Sequence, residues 1–114
     1  MSLRDTIIQA EDLDSRVVDV PEWGVTVELR GMTGAQRMKL WEATQAKSRT
    51  HFYSDILIAT TYDPDTGQHV FDPADRDVIS EKSGAVLDRL TGIINELSGT
   101  SVEEAEEALG ADPI

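Results

Sequence analysis

The sequence predicts an α+β fold in which a small N-terminal β-hairpin packs against a bundle of four to five helices. Two β-type runs, residues 17–20 and 25–29, flank Pro21-Glu22-Trp23-Gly24. Proline presets φ on entering a turn, and glycine allows a positive φ on leaving it. The next residues, Thr33-Gly34-Ala35-Gln36, fit the S/T-x-x-E/Q capping box that opens a helix. Apolar residues recur at spacings of three and four from Ser83 onward, which is typical of an amphipathic helix.

Length and charge narrow the class of protein. A chain of 114 residues forms one domain that buries about two-thirds of its unfolded surface. The net charge of −12 disfavours nucleic-acid backbones and anionic membranes, because both require Lys and Arg. The absence of cysteine excludes disulfides and thiolate metal sites. The sequence has neither an apolar window of about 18 residues nor a secretion signal, so we expect a soluble, cytoplasmic protein that binds no nucleic acid and no membrane.

The single domain divides into a leader (1–14), a hairpin with a helical core (15–100), and an acidic C-terminal helix with a tail (101–114). Within the leader, residues 3–10 can form one or two helical turns that place three aliphatic side chains on one side: Leu3, Ile7 and Ile8. In the second strand apolar residues alternate with polar ones, which is the period-two pattern of a half-buried strand: Val25, Val27 and Leu29.

Two helices are predicted in the middle of the chain. The first runs from Thr33 to about residue 48, and we expect Trp41 in the core because it shares a stripe with Met38. Thr50 can cap a second, apolar helix over about 51–61. Its final part is rich in β-formers, so a strand over 58–62 remains an alternative.

The second half of the chain contains further turn and cap signals. Asp63-Pro64-Asp65-Thr66-Gly67 predicts a turn, and Asp72 followed by proline predicts the start of a helix over about 73–80 that buries Val78 and Ile79. A long amphipathic helix over 83–98 ends at Gly99, and its apolar positions lie on one side: Val86, Leu87, Leu90, Ile93, Ile94 and Leu97. A capping box at Ser101 and Glu104 opens the short acidic helix of residues 101–109.

No pattern in the chain predicts catalysis, a cofactor or a metal site. His51 and His69 have no partner at metal-ligand or triad spacing. The aspartates from Asp63 resemble a calcium loop, but Gly67, Gln68 and Ala74 occupy positions that need an oxygen ligand, a glycine and a glutamate. No serine lies in a nucleophile-elbow sequence. We therefore expect a binding protein rather than an enzyme.

Several ordered motifs carry a family resemblance: Val20-Pro21-Glu22-Trp23-Gly24, the Arg30-Gly31-Met32-Thr33 junction, the turn from Gly67 to Asp72, and Glu81-Lys82-Ser83 before the long helix. In order and spacing, about residues 15–100 resemble the tail assembly chaperones of long-tailed, siphovirus-like bacteriophages. The resemblance implies a protein that binds the tape measure protein, keeps it soluble and recruits subunits of the tail tube protein. It also implies action in the host cytoplasm and absence from the finished virion.

A chaperone of this kind needs an apolar surface for its client. We expect a groove between the long helix 83–98 and its neighbours, or one gated by the 101–109 helix. Trp23, at the hairpin tip, either folds back over a helix or stands out as an anchor. The candidate partner-binding residues are Trp23, Val86, Leu90, Ile94, Val102 and Leu109.

Two other classes remain as alternatives. An acidic DNA mimic would inhibit a host nucleic-acid-binding protein, although the carboxylates here are scattered and bunch only at 103–107. A structural head–tail connector component would stay in the virion. Association with further copies of the chain also stays open.

Overall fold

The computed structural model describes residues 2–44 and 50–99. It confirms the predicted α+β class, with a three-stranded antiparallel sheet and helices packed on it. The elements, in chain order, are α1 (Leu3–Gln9), β1 (Ser15–Val20), a 3-10 turn (Pro21–Trp23), β2 (Val25–Arg30), α2 (Gly34–Thr44), α3 (Phe52–Thr60), β3 (Thr61–Tyr62), a second 3-10 turn (Pro73–Asp75), α4 (Arg76–Ser80) and α5 (Gly84–Leu97).

The hairpin forms where the sequence predicts it. β1 and β2 pair antiparallel, with Val18 opposite Val27 and Val20 opposite Val25. Gly24 has a φ of 68°, in the left-handed region, and its N–H donates to the carbonyl of Pro21. A residue without a Cβ is favoured at this backbone angle, so the proline and the glycine together set the turn between the strands.

The segment with two predicted conformations contains both. Helix α3 continues to Thr60, whose hydroxyl donates to the carbonyl of Ile56, and the strand is limited to Thr61–Tyr62. β3 pairs with β2 on the side opposite β1, so β2 is the central strand. The predicted turn follows: the Asp63 carboxylate accepts from the backbone N–H of Asp65, and Gly67 has a φ of 74°.

The start of α2 confirms the predicted capping box, since Thr33 and Gln36 each bind the other's backbone N–H through their side chains. The predicted extension of this helix to residue 48 lies outside the described residues. The prediction for Thr50 is wrong. Helix α3 begins at Phe52 with His51 at the N-cap position, and the His51 side chain makes no capping bond.

Asp72 caps the next helical segment as predicted. Its carboxylate accepts from the N–H of Ala74, while Asp75 binds the N–H of Asp72 in return. The segment is a 3-10 turn followed by the short helix α4, in which Ile79 is 2% exposed and Val78 is 62% exposed. The predicted burial of Val78 is wrong, because successive residues of a helix point about 100° apart and only one side of α4 faces the core.

The core lies between one face of the sheet and helices α3 and α5. Helix α5 matches its predicted range, and Gly99 follows it with a φ of 74°. A Cβ on Gly31 would lie 2.7 Å from the carbonyl oxygen of Leu97, so the end of β2 closely approaches the end of α5. The buried apolar side chains are Val20, Val27, Leu29, Met32, Ile56, Leu57, Ile79, Val86, Leu87, Leu90 and Ile94.

The side of helix α2 that packs on the rest of the protein differs from the side that the sequence predicts. Met38 and Trp41 are 55% and 51% exposed, so the expectation that Trp41 lies in the core is wrong. The helix packs mainly on α3, and Leu40 faces the core in a partly buried position. Which stripe is buried depends on the position of α3, and the α2 sequence alone does not specify it.

Helix α1 forms in the predicted leader, with Ser2 as its N-cap. None of its residues is buried, and its aliphatic side chains are 63–77% exposed: Leu3, Ile7 and Ile8. Within the described ranges, every helix is too short or too polar to cross a membrane.

Candidate partner-binding surface

Most of the predicted partner-binding residues lie in the core. Val86, Leu90 and Ile94 form the inner side of α5 and are at most 2% exposed. Among the described residues this side of α5 packs against β2 and α3, and the alternative of a groove gated by residues 101–109 lies outside the described residues. These three residues therefore belong to the core of the chain as described. Val102 and Leu109 lie outside the described residues.

Trp23 takes the folded-back position of the two considered. It is partly buried and packs against the core. Its ring lines a recess of about 160 Å³. We name this the Trp23 recess, and its other lining residues are Phe71, Asp75, Val78, Ile79 and Lys82.

A larger recess lies between α2 and α3. This α2–α3 groove has a volume of about 220 Å³, which is below the roughly 300 Å³ that small-molecule pockets need. It can accept one or two side chains of a partner. It is lined by Met32, Gln36, Lys39, Leu40, Asp55, Ile56 and Ala59.

Sequence reasoning missed this groove. The apolar lining of the groove comes from two separate helices, with Leu40 on α2 and Ile56 on α3. Their pairing depends on a tertiary contact, since the Gln36 amide on α2 donates to the Ala59 carbonyl on α3 at 3.3 Å. The available sequence signal is that Leu40 lies beside, and not on, the Met38 and Trp41 stripe.

Each of the two recesses is lined by one lysine that has no ion-pair partner among the described residues. Among the described residues, most arginines pair with carboxylates: Arg4 with Asp5, Arg16 with Glu96, Arg30 with Glu28, Arg76 with Asp55 and Arg89 with Glu22. Arg37 donates to the carbonyl of Ser98. Lys39 and Lys82 make no ion pair within the described ranges, and each lines one recess.

A bidentate ion pair connects the hairpin tip to α5. Both Glu22 carboxylate oxygens accept from the Arg89 guanidinium, at 2.7 and 2.8 Å. These hydrogen bonds lower the pKa of Glu22 from 4.5 to about 2 and raise the pKa of Arg89. The pair thus holds the turn beside Trp23 against the helix.

Other polar and ionisable side chains also connect elements. The Tyr53 hydroxyl donates to the Asp88 carboxylate at 2.5 Å, which together with partial burial raises the pKa of Tyr53. His51 lies 2.6 Å from Asp77, and the His69 ring stacks on Tyr62 with centroids 4.4 Å apart. Across residues 2–44 and 50–99, no three His, Asp or Glu side chains are placed to hold a metal ion.

Comparison with known proteins identifies the fold. No protein-family model matches the sequence, and no curated protein matches it. Among solved structures, the chain is similar to the tail assembly chaperone of bacteriophage HK97, with a TM-score of 0.62 and 24% sequence identity. The match covers 82% of this chain and 95% of that one. The α+β fold described here is therefore one that a phage tail assembly chaperone also adopts.

Proposed function

We propose that this chain is a phage tail assembly chaperone that binds and solubilises the tape measure protein and helps to recruit tail tube subunits. The observation that carries this proposal is the shared fold, which extends over nearly the whole HK97 chaperone. The motifs that resemble the family lie within β1 to α5, the region that forms the fold. The proposed site of action is the host cytoplasm, and the mature virion is expected to lack the chain.

The surface of the molecule suits a client with apolar helical stripes. Helix α1 exposes Leu3, Ile7 and Ile8 with no described residue covering them, and α2 exposes Met38. Apolar patches of this kind commonly mark interaction sites. The net charge of −12 keeps the carrier soluble while such a patch is exposed, and adds repulsion between loaded complexes. The proposed role needs no catalytic group.

Co-expression with the tape measure protein of the same virus tests the proposal. We expect the soluble fraction of the tape measure protein to rise when the chain is present, and the two proteins to co-purify. No increase over the tape measure protein alone would contradict the proposed role. Mass spectrometry of purified virions provides the second arm, since a head–tail connector would be found in the particles and a chaperone would not.

A pair of surface variants tests which apolar side chains hold the client. We expect Ile7→Ser combined with Ile8→Ser to reduce client solubilisation, because the two residues belong to the exposed side of α1. Val17→Ser is the matched control, since Val17 is 60% exposed but lies on β1. Neither change should shift the free energy of unfolding by more than about 0.5 kcal/mol, because exposed side chains contribute little to it. Equal loss of solubilisation in both variants would argue against α1 as the contact.

A further inference from the structure

The two edges of the sheet differ in whether they are paired. The strand order β1-β2-β3 places β1 at one edge and β3 at the other. Beyond β3 the chain turns back, so that the N–H of Val70 donates to the carbonyl of Thr61 at 3.1 Å and Tyr62 forms a bridge with His69. Among the residues that the structure describes, no backbone group pairs with the outer edge of β1. An unpaired edge of this kind can accept a further strand.

The hydrogen-bond register shows which backbone groups of β1 face this open edge. The N–H of Gly31 donates to the carbonyl of Asp14 at 2.8 Å, so these two residues face each other in the ladder. Hydrogen-bonded pairs recur at every second residue of an antiparallel ladder, which directs the backbone groups of Arg16, Val18 and Val20 toward β2. The backbone groups of the alternate residues therefore point away from β2: Ser15, Val17 and Asp19.

The side chains of these three outward-facing residues are exposed. They lie on the sheet face opposite the core, because side chains alternate along a strand and Val20 is fully buried. Val17 is 60% exposed, and the Asp19 carboxylate accepts from the Thr26 hydroxyl at 2.7 Å. Since each outward-facing residue offers one N–H and one C=O, a strand laid along this edge can form about six backbone hydrogen bonds.

The surroundings of the open edge are acidic. The leader immediately before β1 contains Glu11, Asp12 and Asp14, and Asp19 lies near the other end of the strand. None of these four carboxylates makes an ion pair within the described part of the chain. A recess of about 420 Å³ at the start of β1 brings leader residues beside the strand. It is lined by Ala10, Glu11, Asp12, Leu13, Ser15 and Arg30.

The nearby arginines do not offset this charge. Arg30 is paired with Glu28 and Arg16 with Glu96, each at 3.2 Å. A strand that carries lysine or arginine therefore complements the edge. A second copy of the chain is a poorer fit, because it would bring its own acidic leader to the interface between two molecules that each have a net charge of −12.

We propose that β1 binds an extended, basic segment of a partner protein, which adds a strand to the open edge of the sheet. Backbone hydrogen bonds to Ser15, Val17 and Asp19 provide affinity, and side chains at alternate positions provide specificity. In the antiparallel orientation an aliphatic residue lies opposite Val17, and basic residues lie opposite Asp19 and Asp14. The inference does not depend on the proposed chaperone role, and its test needs no client.

A synthetic peptide tests the proposal with the full chain. Acetyl-Lys-Thr-Val-Thr-Thr-Lys-amide places its valine opposite Val17 and its two lysines opposite Asp19 and Asp14. We titrate it to about 10 mM, well above the millimolar dissociation constant expected of so short a strand. We expect saturable shifts of the Ser15, Val17 and Asp19 amide signals and slower hydrogen exchange of the Val17 amide. An absence of shifts at these amides would overturn the proposal.

A second peptide, with glutamate in place of both lysines, is the control for charge. It has the same length and backbone, so it differs only in the residues opposite Asp19 and Asp14. We expect it to bind about tenfold more weakly, because like charges then lie directly across the two strands. Equal binding of the two peptides would refute the requirement for a basic segment.

A proline at the open edge tests the backbone contact. Val17→Pro removes an N–H that points away from β2, and prolines are tolerated at sheet edges for this reason. We expect peptide binding to weaken at least about fivefold through the lost hydrogen bond, whereas Val17→Thr, which keeps the N–H, should bind within about twofold of the parent. Unchanged amide signals of Val27 and Leu29 verify that the hairpin is intact. Equal binding by the two variants would contradict strand addition.

Two further measurements keep the test independent of how the proline variant folds. N-methylvaline at the centre of the peptide removes the matching donor from the ligand, and it should weaken binding to the unaltered chain to a similar extent. Dilution of the chain without peptide tests for a second copy at the edge. Amide shifts of Ser15, Val17 and Asp19 that follow protein concentration, and that the peptide does not reverse, would assign the edge to a homodimer and overturn the proposal.

Discussion

At the residue scale, Gly31 shows how one missing side chain permits a tertiary contact. The residue lies between β2 and α2, and a Cβ there would meet the Leu97 carbonyl at 2.7 Å and its carbon at 3.1 Å. Both atoms belong to the backbone of α5, so the neighbour cannot move aside by a side-chain rotation. The close packing of the sheet end on α5 therefore requires glycine.

Gly31→Ala should lower the free energy of unfolding by about 1–3 kcal/mol, the usual cost of overpacking. Urea denaturation followed by circular dichroism measures the change. Gly92→Ala is the control, because a Cβ at Gly92 has no heavy atom within 4 Å. Since glycine is unfavourable within a helix, that variant should be about 0.5–1 kcal/mol more stable than the parent. A Gly31→Ala protein as stable as the parent would show that the contact relaxes.

Leu90 is completely buried, and a substitution there tests whether it contributes to the core. Leu90→Ala should cost about 2–5 kcal/mol through lost burial and the resulting cavity. Val78→Ala, at an exposed position, should change the unfolding free energy by less than about 0.5 kcal/mol. Thermal and urea unfolding of both variants make the comparison. A Leu90→Ala protein of unchanged stability would contradict the core assignment.

Whether a sequence-based prediction is correct depends on whether it concerns local or distant contacts. Caps and turns depend on atoms within a few residues, so the Thr33 and Gln36 capping box, the Asp72 cap and the turn at Gly24 are found as the sequence indicates, and the cap at Thr50 is the exception. The burial of Met38, Trp41 and Val78 depends on distant elements, and these predictions fail. The same limit applies to the site: the strong amphipathic pattern of α5 indicates a face that needs covering, but the sequence does not say that β2 and α3 cover it.

At the element scale, the helices differ in how they begin. The Thr33 hydroxyl accepts from the N–H of Gln36 at 3.1 Å and caps α2. Ser83 occupies the N-cap position of α5, but its side chain makes no capping hydrogen bond. Helix α5 is stabilised by five buried side chains, whereas α2 has no fully buried residue among those described and packs mainly on α3. Local capping therefore matters more for α2.

Thr33→Ala should cost about 0.5–2 kcal/mol, which is typical for the loss of an N-cap hydrogen bond. Ser83→Ala should cost clearly less, because no such bond is removed. Urea denaturation compares the two, and amide hydrogen exchange in α2 should rise in the Thr33 variant alone. Equal effects of the two substitutions would mean that the capping bond contributes nothing to α2.

At the scale of the whole molecule, charge acts in two opposite ways. The net charge of −12 is self-repulsive and opposes compaction. Individual pairs oppose this by joining distant parts of the chain: Glu22 to Arg89, Arg16 to Glu96 and Asp55 to Arg76. These pairs are exposed, so they contribute to the orientation of elements more than to total stability.

The Glu22–Arg89 pair predicts a specific pH dependence. The folded-state pKa of Glu22, about 2, lies below its ordinary value of 4.5. The pair therefore stabilises the fold fully above pH 4.5, and this contribution is lost as the pH falls toward 2. Glu22→Gln should lower the urea midpoint at pH 7, and its difference from the parent should shrink between pH 4.5 and 2. A difference that stays constant over this range would exclude the ion pair as its cause.

The packing of β2 on α5 also has a consequence for biosynthesis. These two walls of the core are separated in sequence by residues 31–83, so their contact closes a long loop, which costs entropy and slows folding. Until α5 has been translated, Val27 and Leu29 on the nascent chain lack the helix that shields them from water. Incomplete chains that end before residue 84 should therefore aggregate, and only a polypeptide translated through α5 can reach its native state.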